Sequence, residues 1–300
     1  MNDDAPALSI VLATTHAWPE AEPTLDAIFA AETRASFEVI LCDGHGRGAP
    51  PKGERHSGLR VMSLPGESVF GLRARGVAEA RGDLIAVTED HCLPEPDWVD
   101  QLLAAHARHP DAVAIAGAVT NGAVDSAWDW ANFLMTFAEH VPPMPDKPTV
   151  RAPSVANASI KRIAAKLPST PEPGWLETAM MGKLMLAGVV ARDDGPQVAH
   201  VQSHGGAHKT LAAHFHNGRA TAGLRAPVPG PRALLAERER IAELPLRLTR
   251  EVRAALDDRP PLQGRAAAGV RLVPIVAAAH ALGELTGLLA GAGRSAELLD

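Results

Sequence analysis

Tyrosine is absent from the 300 residues, and cysteine occurs only twice, as Cys42 and Cys92. Two cysteines exclude a disulfide scaffold and an all-cysteine zinc site, which needs four thiolates. With alanine, arginine, glycine and proline abundant, the missing tyrosine reads as genome-wide compositional bias and carries no functional signal. There is no excess of positive charge: 29 Lys and Arg stand against 35 Asp and Glu, a net charge of −6. That balance argues against a nucleic-acid partner held by bulk basicity. Also absent are HExxH, CxxC, GxSxG and P-loop motifs, which removes the zincin, thioredoxin-like, serine-hydrolase and P-loop readings. Residues 1–7 carry acids and the apolar run after them is short, so no signal peptide is expected and a reducing cytoplasmic location is the default.

What is there is globular. Hydrophobic residues make up 46% and charged residues 21% of the chain, which excludes disorder over most of it. At roughly 100–200 residues per domain, the length fits one large or two modest domains. Residues 8–13, 37–42, 59–64, 84–88 and 112–119 are short, mostly apolar runs, while 22–31, 69–80 and 97–109 carry helical periodicity. Such alternation predicts a doubly wound, mostly parallel α/β sheet covered on both faces. Ligands of such sheets sit at the carboxyl ends of the strands, and that rule selects Thr14, Asp43 and the Glu89-Asp90-His91 cluster.

The later chain is less regular. Residues 140–153 are proline-rich and read as an exposed loop; 175–186 and 211–224 read as helices, and 198–200 ends a strand. A proline cluster at 227–231 marks a boundary between a domain of residues 1–226, with halves at about 1–120 and 121–226, and a helical extension of 227–300. Within the extension, 233–256 is amphipathic and Pro245 is expected to kink or break it. From 272 to 292 only His280 and Glu284 are ionisable, and Ala279, Gly283, Gly287 and Gly291 recur every four residues. This segment reads as a buried terminal helix or as one that attaches to a membrane surface. Its small-residue stripe offers a surface for self-association.

Three consecutive side chains after an apolar strand, Glu89, Asp90 and His91, are each able to bind metal. In extended backbone Glu89 and His91 point to one side and can share a divalent ion, with Mn²⁺ better matched to the imidazole than Mg²⁺. A solvated acidic turn is the alternative. Asp43 precedes Gly44-His45-Gly46-Arg47-Gly48, but Pro50-Pro51 follows instead of a helix, so the dinucleotide fingerprint fails on context. At a strand end, Asp43 can still accept a hydrogen bond from a nucleobase N–H; otherwise it forms the turn. His200, His204 and His208 are spaced by four, yet Gly205-Gly206 makes a shared helix doubtful.

Together these pieces resemble family 2 glycosyltransferases of the GT-A fold. LSIVLATTH at 8–16 is similar to the family's opening strand and loop, and FEVILCDG at 37–44 to its second strand. GLRARGVAEARGDLIAVTEDHCLPEPDW at 71–98 carries the helix, the Gly-Asp turn, the strand and the acidic metal motif, with Glu89 and His91 in place of the usual aspartates. ANASIKR at 156–162, GWLETAMMGKLMLAG at 174–188, VAH at 198–200 and HNGRATAGLR at 216–225 resemble later family segments in the same order.

The resemblance implies a metal-dependent, inverting transfer of a sugar from a nucleoside-diphosphate sugar to an acceptor hydroxyl, such as one on a lipid-linked or envelope glycan. It implies Glu177 as catalytic base, and Glu89, His91 and His200 as ligands of a divalent metal, Mn²⁺ before Mg²⁺. Donor contacts fall to Thr14, Asp43, Arg73, Asp90 and Arg219, with Asp43 reading the base and Arg73 or Arg219 meeting ribose or phosphate. A cytoplasmic enzyme, peripheral on the inner face of the membrane, follows if the last helix binds lipid. Two other functions remain open on sequence. One is a nucleotidyltransferase, although residues 12–19 lack its glycine-rich basic loop. The other is a catalytically inactive scaffold that has kept the fold.

Overall fold

The computed structural model describes residues 5–46, 57–144, 154–164, 188–226, 228–257 and 259–298. Its contacts divide the chain into two compact units, Met1–Thr120 with His140–Val201, and Asn121–Glu139 with Gln202–Asp300. Helices on both sides of the proline cluster at 227–231 belong to the second unit.

The first unit is built on one sheet. Its strands are β1 (Leu8–Thr14), β2 (Phe37–Asp43), β3 (Leu59–Ser63), β4 (Leu84–Glu89), β5 (Cys92–Pro94), β6 (Ala112–Asn121), β7 (Ala158–Lys161) and β8 (Val189–His200), in the order β3-β2-β1-β4-β7-β6-β8-β5. The parallel arrangement expected from the sequence holds across β3-β2-β1-β4. Beyond β4 the sheet changes direction: β7 runs antiparallel to β4 and β6, and β5 to β8. All seven residues of β1 are buried, which is why that strand reads as continuous apolar sequence.

Among the described residues, three α-helices accompany the sheet: α1 (Glu22–Phe29), α2 (Val69–Glu79) and α3 (Trp98–Arg108). Ser68 caps α2 by accepting from Gly71 N at 3.2 Å. A Cβ at Gly76 would strike Val11 and Cys42, so glycine lets α2 lie close on β1 and β2. Trp98 of α3 is fully buried and donates its indole N–H to Asn157 Oδ1 at 3.0 Å. The Asn157 amide in turn donates to the carbonyls of Ala118 and Pro196 at 2.8 and 2.9 Å. A buried amide satisfied on this scale fixes the segment before β7 against β6 and β8, and thereby fixes where β8 ends.

The second unit is helical: α4 (Ala127–Phe137), α5 (Ala207–Arg225), α6 (Pro231–Asp257) and α7 (Pro260–Ala290). Ser126 and Asp129 form a reciprocal capping box at the start of α4. Pro245 does not end α6, which runs through it for 27 residues. Ile241 and Leu244, just before the proline, are buried in a cluster with Ala222, Ala281 and Leu288. That packing retains a helix from which Pro245 removes one hydrogen bond.

Residues Ala266–Ala290 of α7 are long and apolar enough to cross a membrane by length and composition. Their small-residue stripe is covered from within the chain. A Cβ on Gly283 would collide with the Phe215 carbonyl of α5, and one on Gly218 of α5 with the His280 carbonyl. The surface suggested for self-association is therefore an internal helix contact.

Glu284 is buried on the same helix and takes charge-assisted hydrogen bonds from Arg225 of α5 at 2.9 Å and from Arg240 of α6. Burial alone would raise its carboxyl pKa, but His280 and the two arginines hold it well below the usual carboxylate range. We expect Gly283→Ala to force α5 and α7 apart and to destabilise the protein by about 1–3 kcal/mol, the range for overpacking. Urea unfolding of the two proteins measures this, and an unchanged midpoint would contradict the contact.

Candidate metal and donor site

Parallel pairing in register aligns the carboxyl ends of three strands. Thr14 of β1 lies opposite Asp43 of β2, and Ala13 opposite Glu89 of β4. Beyond Glu89 the chain turns at Asp90 and His91 and enters β5, where Cys92 pairs with His200 of β8. Val201 N donates to His91 O at 2.9 Å. The antiparallel pairing of β5 with β8 thus carries His200 to the turn that follows β4, across more than a hundred residues of sequence.

One ligand atom from each of Glu89, His91 and His200 lies within 4.8 Å of the others. Glu89 Oε2 is 3.5 Å from His91 Nε2 and 3.9 Å from His200 Nε2. Two donors bonded to one cation at about 2.1 Å each stand roughly 3–4 Å apart, so these separations fit a shared ion. The donor set is one carboxylate oxygen and two imidazole nitrogens, which suits a borderline divalent cation. The extended backbone expected to bring Glu89 and His91 to one side is not what joins them. β4 ends at Glu89, and Asp90 and His91 form the turn.

Glu89 is a charge that needs partners. Arg73, buried on the sheet-facing side of α2, donates from Nη2 to Glu89 Oε1 at 2.8 Å. Burial works to raise the Glu89 carboxyl, but the hydrogen bond and charge of His91, with the charges of Arg73 and His200, hold it down at about 2. Burial likewise opposes the charge on His91, while Asp90 and Glu89 push its pKa up to about 9. Arg73 was expected at ribose or phosphate; among the contacts it makes here is the ion pair with Glu89.

Thr14 and Asp90 meet directly. Thr14 Oγ1 donates to Asp90 Oδ2 at 2.6 Å, and His16 Nδ1 lies 3.1 Å from the same oxygen. The other Asp90 oxygen is 2.8 Å from His91 Nδ1. Thr24 Oγ1 of α1 donates to the Asp90 carbonyl at 2.8 Å. Burial works to raise the Asp90 carboxyl, but His16, His91 and Thr14 hold it well below the ordinary carboxylate range. Asp43 is buried at the end of β2, and its Oδ1 accepts from His45 N and Gly46 N at 2.9 and 3.0 Å. Both readings of Asp43 are compatible with that geometry, since one oxygen makes the turn and the carboxylate has a second.

Arg219 belongs to the second unit, where its Nε donates to the Gly291 carbonyl at 3.2 Å. Glu177 and the helix expected at 175–186 lie outside the described residues, as does most of the 140–153 loop. The histidines at 200, 204 and 208 do not share a helix: His200 ends β8, and α5 begins at Ala207 after Gly205 and Gly206, both at positive φ. His16 was not assigned a role from the sequence. It stands two residues past the end of β1, so the strand-end rule that selected Thr14 reaches it too.

Two relatives give these observations a context. The glucosyl-dolichyl phosphate glucuronosyltransferase of Haloferax volcanii is 38% identical over 47 residues, 16% of this chain. The match spans only 15% of the length of that curated relative. The structure of the mannosyltransferase PcManGT from Pyrobaculum calidifontis, in complex with GDP-Man and Mn²⁺, superposes with a TM-score of 0.58 at 16% identity, covering 95% of this chain and 88% of that one. At that identity the likeness is one of fold, the GT-A fold. The sequence profile of glycosyl transferase family 2 matches residues 9–164. That stretch is more than half of the chain and takes in Thr14, Asp43, Arg73 and the Glu89–His91 turn, so this chain belongs to glycosyl transferase family 2.

Proposed function

We propose that the protein transfers a glycosyl group from a nucleoside-diphosphate sugar to an acceptor hydroxyl, by a single displacement that inverts the anomeric carbon. The observation that carries this reading is the meeting of Glu89, His91 and His200 at the strand ends, beside Thr14 and Asp43. These three side chains would hold a divalent cation, Mn²⁺ in preference to Mg²⁺ because two of the three donors are imidazoles. Such a cation supplies Lewis-acid stabilisation of the charge that develops on the departing diphosphate. The name of the Pyrobaculum relative's complex, with its nucleotide sugar and Mn²⁺, agrees with this choice of ligands.

The chain's own residues divide the remaining work. Asp43, with one oxygen turned to the backbone of His45 and Gly46, offers the other to a nucleobase N–H at the end of β2. Arg73 keeps Glu89 ionised and directs its Oε2 toward the two histidines. Glu177 is assigned as the general base that removes the acceptor proton, since an alcohol is a poor nucleophile until a positioned carboxylate takes that proton. A lipid-linked glycan acceptor is supported by the name of the Haloferax relative. It would place the enzyme in the cytoplasm, at the inner face of the membrane.

Thermal unfolding with UDP, GDP, dTDP and CDP, each with and without Mn²⁺, tests the donor. We expect one nucleotide to raise the melting temperature only when Mn²⁺ is present, with about 2.7 kcal/mol of added stability at a hundredfold excess over Kd. A folded sample that responds to none would remove the donor reading and favour a scaffold.

His200→Ala is expected to weaken Mn²⁺ binding by more than about tenfold, because loss of a ligand should cost at least as much as loss of a supporting hydrogen bond. Electron paramagnetic resonance of free Mn²⁺ measures it. Glu177→Gln should lower sugar transfer by about 10²–10⁴-fold, the contribution of a general base. Transfer at the wild-type rate would remove Glu177 from that role.

A further inference from the structure

Asp90 sits between two proposed metal ligands in sequence, yet its carboxylate is turned away from a ligand's task. One oxygen accepts from Thr14 and lies against His16; the other lies 2.8 Å from His91 Nδ1. The residue is 8% exposed. An ionised carboxylate is an acceptor only, so whatever faces it must carry a proton. The nitrogen of His91 on its side is therefore the protonated one. The opposite nitrogen, Nε2, is the atom that faces Glu89 Oε2 at 3.5 Å.

We propose that Asp90 is a positioning residue, which fixes His91 with its proton on Nδ1 so that the Nε2 lone pair is presented to the cation site shared with Glu89 and His200. This rests on the metal reading above. It gives Asp90 a different role from the donor contact expected of it. An imidazole ligand is oriented by the hydrogen bond at its other nitrogen, and a carboxylate in that place also makes the ligand more basic. Asp90 is itself held from β1, by Thr14 at the strand's last residue and by His16 in the loop beyond. Its carbonyl is held from α1 by Thr24. The orientation of His91 is thus imposed by elements laid down at the start of the chain. One carboxylate also ties the loop after β1 to a ligand after β4.

Asp90→Asn tests the assignment, because the amide keeps the size of the side chain but loses its charge and has a single acceptor oxygen, so it cannot accept from His91 and from Thr14 and His16 together. Mn²⁺ binding is read by electron paramagnetic resonance and folding by thermal unfolding of the same samples. We expect the folded variant to bind Mn²⁺ roughly 10–100-fold more weakly than wild type. In parallel, ¹⁵N spectra of the histidine rings in Zn²⁺-loaded wild type should give His91 metallated at Nε2 and protonated at Nδ1, with His91→Gln identifying its signals.

Wild-type Mn²⁺ affinity in folded Asp90→Asn overturns the proposal, as does a wild-type His91 that carries its proton on Nε2. If Asp90→Asn does not fold, the ring spectra of the wild type decide alone. Wild-type protein that takes up neither Mn²⁺ nor Zn²⁺ overturns the metal reading itself. That result is distinct from the case in which metal binds and Asp90 proves irrelevant to it.

Discussion

A carboxylate at the end of β4, shielded from water, cannot remain charged without partners, and the arrangement around Glu89 answers that constraint. Arg73 reaches it from α2, His91 from the turn and His200 from the end of β8. Each partner comes from a different element, so the charge is stable only once α2 is docked, β4 has turned and β5 has paired with β8. An unpaired buried carboxylate would instead take up a proton and cease to attract a cation. Much of the first unit's geometry can be read as support for this one ionised group. Gly76 brings α2 close enough for Arg73, and Asn157 holds β6 and β8 so that His200 arrives.

The same sheet contains a more deeply buried acid that makes the contrast clear. Glu38, near the start of β2, is 3% exposed and accepts from Ser9 Oγ, from Arg81 through both backbone and side chain, and from Arg60. Burial again raises its carboxyl, and these donors bring it down to about 2. Glu38 and Glu89 therefore share an acidity, but not a chemistry. Around Glu38 the partners are arginines, a backbone N–H and a hydroxyl, none of which gives up its proton to become a metal ligand here, and the carboxylate is consumed in joining strand to turn. Around Glu89 two of the partners are histidines, which lose a proton and become lone-pair donors. That difference in partner type, rather than the shift in acidity, marks the carboxyl edge of the sheet as the functional one.

The local half of the site was legible in the sequence because its geometry is set by short-range rules. Apolar runs locate β1, β2 and β4, and parallel pairing then brings their final residues, Thr14, Asp43 and Glu89, to one edge. What sequence periodicity does not carry is side-chain direction and long-range pairing. Arg73 looks like any helix-face arginine until α2 is seen to bury it against Glu89. Asp90 looks like a third ligand until both of its oxygens are seen to be taken. His200 was placed at the metal by resemblance alone. Its physical reason, the pairing of a three-residue strand with the end of a twelve-residue one, has no local signal. Glu89 and His91 were brought together on the premise of extended backbone, which the turn replaces with a different route to the same meeting.

The second unit shows how one sequence pattern is compatible with opposite environments. A long apolar helix with small residues every fourth position is what close helix packing requires, whether its neighbours lie in lipid or in water. In α7 the stripe accepts α5, with Gly283 against Phe215 and Gly287 against Arg219 and Gly223. The discriminating residue is Glu284, which in the sequence interrupts an otherwise apolar run. Its partners Arg225 and Arg240 come from two other helices, α5 and the charge-rich α6. Moving α7 alone into a bilayer would strip Glu284 of those partners and leave its carboxylate unpaired in apolar surroundings. Contact of this unit with lipid, where it occurs, must therefore use faces other than the one that holds Glu284.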